Sequence, residues 1–158
     1  MKKGMISVLS ALTGTIAGAV TVKRAEDKKL KKVKGYADKH LALYLMMNQW
    51  VKVKQENKSI AEYLEKNGYR QIAIYGMNYV GETLLSELAN TNIQVKYAID
   101  KNADNIYADV DILSPEDDFD NVDVVIVTPI TFFDEIEETL SEKLDCPIIS
   151  MEDILYEI

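Results

Sequence analysis

One cysteine and one histidine are the chain's whole supply of thiol and imidazole. With Cys146 alone no intrachain disulfide can form, which fits a reducing compartment. Cys146 precedes Pro147 at the start of an apolar segment, so it reads as a packed thiol and not as a nucleophile or metal ligand. No zinc-type spacing, Ser-His-Asp order or P-loop lysine is present, which removes the commonest hydrolytic and phosphoryl-transfer constellations. Low-complexity tracts and internal repeats are also missing. The tyrosine with a lysine four residues on, the proton-transfer pair of short-chain dehydrogenases, is not expected: Tyr36 leads to His40 and Tyr63 to Asn67. Neighbouring carboxylates such as Asp117 and Asp118 read as a solvated acidic surface and not as an acid/base pair. The reading therefore assigns no catalytic residue and no metal ligand, and leans away from an enzyme.

Positive charge is missing from one half of the chain and concentrated in the other. Residues 1–70 carry 15 Lys/Arg against 6 Asp/Glu, whereas residues 71–158 carry 3 Lys and no Arg against 20 Asp/Glu. This partition predicts a basic arm joined to an acidic globular domain, whose field would repel nucleic acid. Three segments follow: residues 1–24, a hydrophobic membrane-anchor candidate; residues 25–67, a helical arm; and residues 68–158, an α/β domain.

Residues 4–22 form 19 uncharged positions between Lys2-Lys3 and Lys23-Arg24, close to the length of a single membrane-spanning helix. Ser10, Gly14 and Gly18 recur every four residues and would give a smooth face for helix pairing in lipid. A cleaved signal peptide with Ala17-Gly18-Ala19 as its cleavage site, and a soluble packing helix, are the competing readings. For an anchor, the lysines that follow place the domain on the cytoplasmic face; without one, it is soluble in the cytoplasm. Residues 25–57 contain no proline and read as one long helix. Leu30, Val33, Ala37, His40, Tyr44, Met47 and Val51 repeat at 3-4 spacing, as a coiled-coil seam or a stripe packed on the neighbouring domain. The seam predicts a homodimer through the arm. His40 reads as packed or partner-bonded, and Trp50 as a core or interface aromatic.

From residue 68 on, apolar runs alternate with amphipathic stretches. Ser59 to Glu62 is a capping box opening a short helix that Gly68 stops. Strands are predicted over residues 72–75, 95–99, 111–113, 122–127 and 147–150. Helices are predicted over residues 79–89, 131–144 and 151–158, and Ser114-Pro115-Glu116 caps a short helix or turn. In the helix at 131–144, Phe132, Phe133, Ile136 and Leu140 face inward. The expected fold is α/β, a Rossmann-like parallel sheet of about five strands in the order 3-2-1-4-5, preceded by the long helical arm.

Residues 75–81 read Tyr-Gly-Met-Asn-Tyr-Val-Gly between the first strand and its helix. A glycine turn opening a helix directs backbone N–H groups and the positive end of the helix dipole toward an anion. Gly76, Met77, Asn78, Tyr79, Val80 and Gly81 are therefore candidate ligand contacts. Asp100 closes the second strand 19 residues after Gly81, where a carboxylate would accept a ribose hydroxyl. Thr128 and Pro129 end the fourth strand and would form the other wall. Asn78 stands where the fingerprint has its middle glycine. Its amide could adopt the left-handed conformation and donate a hydrogen bond, at the expense of affinity for a full dinucleotide.

These motifs, with Val-Lys-Tyr-Ala-Ile-Asp100-Lys-Asn, Leu-Ser-Pro-Glu116, Val-Asp-Val-Val-Ile-Val-Thr128 and Pro-Ile-Ile-Ser150, resemble the Rossmann-like domain of bacterial polysaccharide-biosynthesis proteins. That domain occurs in sugar acetyltransferases, in membrane-bound nucleotide-sugar dehydratases and beside glycosyltransferases. The resemblance covers residues 68–156. It implies that Gly76, Asn78, Gly81 and Asp100 contact a nucleotide or nucleotide sugar, with Asn78 departing from the usual glycine. NAD(P), a UDP-sugar or no ligand are the open cofactor options. The expected function is a non-catalytic, membrane-tethered nucleotide or nucleotide-sugar module for surface-polysaccharide synthesis. An enzyme subunit whose catalytic residues lie on a partner, and an oligomerising scaffold with an empty crevice, are the alternatives.

Overall fold

The computed structural model describes the backbone of residues 2–158 and the side chains of residues 26–158. Ten regular elements follow one another: α1 (Lys2–Gln55), α2 (Ile60–Lys66), β1 (Gln71–Tyr75), α3 (Tyr79–Leu88), β2 (Gln94–Ile99), β3 (Ile112–Leu113), β4 (Val124–Val127), α4 (Phe133–Ser141), β5 (Ile148–Ser150) and α5 (Met151–Glu157). The chain divides into two units, Met1–Ala42 and Leu43–Ile158. In the first, every side chain from Glu26 to Leu41 is exposed. Among the described residues no helix is long and apolar enough to cross a membrane. The anchor candidate, residues 4–22, lies outside the residues with described side chains.

In the second unit the five strands form one parallel sheet ordered β3-β2-β1-β4-β5, the predicted order. Period-2 alternation sorts side chains onto two faces. Ile72, Ile74, Ala98, Val124 and Ile126 meet the buried faces of α2, α3, α5 and the last turns of α1. Ala73, Tyr75, Tyr97, Ile99, Val125 and Val127 meet α4 and the segment before β4. Ile72 pairs with Val95 but Ala73 with Tyr97, so Lys96 is an extra residue in β2. This bulge resets the alternation and puts Val95 and Ala98 on one face and Tyr97 and Ile99 on the other.

The compact unit reaches back to Leu43, upstream of the sheet-bearing stretch 68–158, because α1 supplies Met46, Trp50 and Val53 to the core. These three recur at 4-3 spacing and are nearly inaccessible, each stabilising the unit by about 1.5–3 kcal/mol of apolar burial. Trp50 fixes the docking: its Nε1–H donates to Glu87 Oε2 at 2.7 Å, and Lys54 pairs with Glu87 Oε1 at 3.0 Å. The predicted heptad residues lie elsewhere on α1. Leu30, Val33, Tyr44 and Val51 are more than half exposed, and Met47 is half-buried. His40 is exposed as well, so within the chain it is not packed.

Local signals set the remaining boundaries. Ser59 caps α2 through the Glu62 N–H at 3.5 Å, and Gly68 takes φ +79 just beyond the helix. Residues 130–132 form a 3-10 turn, so α4 starts at Phe133 and not at residue 131. Phe132 thereby turns outward, 46% exposed, whereas Ile136 and Leu140 are buried as expected. Ser114 to Glu116 begin a turn held by the Asp117 carboxylate, which accepts from the Ser114 N–H at 2.8 Å. Cys146 is half-buried beside the α4 face of the sheet. Burial raises its thiol pKa, and Asp145 and Asp123 raise it further, which keeps the sulfur protonated.

Candidate functional site

At the carboxyl ends of the parallel strands, where the order in which strands are added switches sides between β1 and β4, lies a cleft of about 370 Å³. In open α/β sheets this switch point is where ligands bind. Tyr75, Gly76 and Asn78 line one side, Asp100 and Lys101 come from the end of β2, and Pro129, Phe132, Glu135 and Ile136 close the far side.

The two glycines of the turn are required by close approach. Gly76 has φ +92, and a Cβ there would sit 2.7 Å from the Pro129 ring and 2.8 Å from Thr128 Oγ1. A Cβ on Gly81 would collide with the carbonyl oxygen of Gly76, so only glycine lets α3 pack this close to the strand end. Thr128, 2% exposed, locks the same turn from β4: its hydroxyl donates to the Gly76 carbonyl at 2.7 Å and reaches the Tyr75 carbonyl at 3.2 Å. Thr128 thus shapes the crevice from behind, while Pro129 faces it.

Asp100 is bonded to the turn. Its Oδ2 accepts from the Met77 N–H at 2.8 Å, and its Oδ1 accepts from the Asn102 N–H at 2.9 Å. Asn78 is the N-cap of α3, extended at φ −87 and ψ −169, with Oδ1 accepting from the Val80 N–H at 3.0 Å. The left-handed conformation open to Asn is not the one adopted, because the capping bond goes with extended backbone at this position. The amide Nδ2 remains as a donor at the crevice edge.

The candidate residues therefore fall into three groups. Gly76, Asn78, Asp100 and Pro129 line the crevice. Met77, Val80, Gly81 and Thr128 are buried and build it, Met77 and Val80 through side chains in the core. Tyr79, 84% exposed, opens α3 without lining the cleft. Sequence reasoning missed Tyr75, Lys101, Phe132, Glu135 and Ile136 as lining residues. The last three come from the 3-10 turn after Pro129 and the first turn of α4, where the change of helical phase obscures their common side in the sequence.

Charge in the cleft is mainly negative. Glu135 joins Asp100, against Lys101 as the one cation among the lining residues. Burial raises the Tyr75 phenol pKa, and the carboxylates of Asp100 and Glu135 push it further in the same direction.

One tyrosine does carry a lysine four residues on, contrary to the expectation: Tyr97 and Lys101. The spacing serves proton transfer on a helix, where i and i+4 are adjacent; Tyr97 lies in a strand and Lys101 beyond its end. Tyr97 is buried, stacked on Phe119 at 5.9 Å, with its hydroxyl donating to the Asp120 carbonyl at 2.7 Å. Burial pushes its pKa up to about 12. The phenol is thus used in packing, and Lys101 faces the cleft without it. Among the described residues no group of three His, Cys, Asp or Glu side chains is placed to hold a metal ion.

No protein-family model, curated protein or solved structure matches this chain.

Proposed function

We propose that the chain is a non-catalytic module that binds a nucleotide or nucleotide sugar at this crevice, tethered to the cytoplasmic face of a membrane by residues 4–22 and serving surface-polysaccharide synthesis. The observation that carries the reading is the crevice itself. A glycine turn fitted so tightly that neither Gly76 nor Gly81 admits a Cβ meets a strand-end carboxylate at the switch point of a parallel sheet. A recognition role is favoured over chemistry because the titratable groups facing the cleft are two carboxylates, one lysine and a phenol held protonated. No nucleophile among them is paired with a base.

Self-association through α1 belongs to the same proposal. Leu30, Val33, Tyr44 and Val51 keep heptad spacing and stay exposed, while Met46, Trp50 and Val53 already serve the core.

Calorimetric titration of the full chain with UDP, UDP-sugars, NAD and coenzyme A tests the ligand reading. Saturable binding of at least one, without turnover, is the expected result; silence toward all would remove it, and conversion of a nucleotide sugar would replace recognition with catalysis.

A further inference from the structure

The crevice has the shape of a phosphate-binding turn but has already used much of that turn's capacity. Of the six N–H groups from Gly76 to Gly81, that of Gly76 donates to the Ile99 carbonyl at 2.7 Å, that of Met77 to Asp100 and that of Val80 to Asn78. A phosphate seated on such a turn depends on those amides and on the positive end of the helix. Here Asp100 is a built-in anion at the seat, and Glu82 in the first turn of α3 offsets the helix dipole. The Asn78 side chain occupies the position where glycine would let a pyrophosphate come close. Glu135 adds a second negative charge on the opposite wall.

The rest of the cleft suits the other end of a nucleotide. Pro129, Phe132 and Ile136 give an apolar wall for a planar base. Each Asp100 oxygen accepts one backbone N–H and keeps a further lone pair, so a rigidly held carboxylate remains able to accept sugar hydroxyls.

We infer that the crevice recognises the nucleoside part of its ligand and does not seat phosphate on the Gly76–Gly81 turn. The base lies against Pro129, Phe132 and Ile136, the sugar hydroxyls meet Asp100, and any phosphate leaves the cleft toward solvent. This inference rests on reading the crevice as a nucleotide-type site, and it reverses which part of the ligand supplies the affinity.

Matched calorimetric series on the full chain, uridine with UMP and UDP and adenosine with AMP and ADP, separate the two. Within the series that binds, the nucleoside should bind at least as tightly as its diphosphate, and the preference should shrink as salt screens the carboxylates. Asp100→Asn removes the internal charge, so the ratio of diphosphate to nucleoside affinity should rise by about tenfold. Glu135→Gln alters an exposed side chain, and should raise the same ratio by several-fold even if Asp100→Asn fails to fold. A wild-type protein that binds the diphosphate about tenfold or more tightly than the nucleoside, with the ratio unmoved by Glu135→Gln, would overturn the inference and leave the crevice reading standing. Absence of binding by every compound would overturn both.

Discussion

Gly76 and Gly68 both take positive φ, +92 and +79, but only Gly76 is enclosed. Alanine at Gly68 meets open space and bears the backbone term alone, about 1 kcal/mol. Alanine at Gly76 bears the same term and drives its methyl into the Pro129 ring and the Thr128 hydroxyl, so its loss should be larger by about 2 kcal/mol. Urea unfolding of the two variants measures this difference, and equal losses would mean that the β1 turn and the end of β4 are not in contact. Asp123 is the corresponding test of charge. Its Oδ2 accepts from the N–H groups of Arg70 and Gln71, both at 2.7 Å, and these bonds hold its carboxyl below the ordinary 3.8. A depressed folded-state pKa stabilises the protein above the unfolded value and loses that contribution as pH falls through the folded one. Asp123→Ala should therefore cost about 1 kcal/mol at neutral pH, after solvent screening at an exposed site, with the difference from wild type shrinking below pH 3.8. Gly76, Gly81 and Asp100 were readable from sequence because each occupies a fixed offset in a strand-turn-helix. The use made of Asp100 was not readable, since its bonds to Met77 and Asn102 depend on a side-chain conformation that no spacing encodes.

Among the elements, α1 has two apolar stripes where sequence periodicity picked out one. The heptad positions repeat over the greater length. The docked stripe covers only the last turns: Trp50 stands out in the sequence as a core or interface aromatic, while Met46 and Val53 are hidden among neighbouring apolar residues. Trp50→Ala should destabilise the unit by about 3–5 kcal/mol. Trp50→Phe keeps most of the packing but loses the indole N–H, leaving Glu87 to Lys54, and should cost about 1 kcal/mol. Comparable losses in the two variants, followed by circular dichroism in urea, would show that the hydrogen bond and not the ring holds this stretch in place. The strand order was legible because near-continuous apolar runs such as Val124–Val127 alternated with amphipathic helices. The start of α4 was misplaced because the 3-10 turn over Ile130–Phe132 changes the helical phase, and so Phe132 passed for a core residue when it lines the cleft.

In the molecule as a whole, the division of charge is as informative as any motif. The sheet-bearing part is strongly acidic, and its crevice shares that sign, which is the ground on which the proposal makes phosphate the less favourable half of a nucleotide ligand. The arm has the opposite sign and a heptad stripe left mostly exposed, and the proposal makes it the site of self-association. In sedimentation equilibrium the full chain in mild detergent should be dimeric, and Val33→Glu with Tyr44→Glu, both at exposed positions, should yield a folded monomer. A double variant that stays dimeric would move the interface elsewhere. The central claim is that the cleft between β1 and β4 takes a ligand. Amide chemical-shift mapping of the full chain during titration with uridine and UDP-sugar answers that most directly. Saturating shifts confined to Tyr75, Gly76, Asn78, Asp100, Lys101 and the start of α4 are predicted; shifts absent there, or centred on another surface, would contradict it.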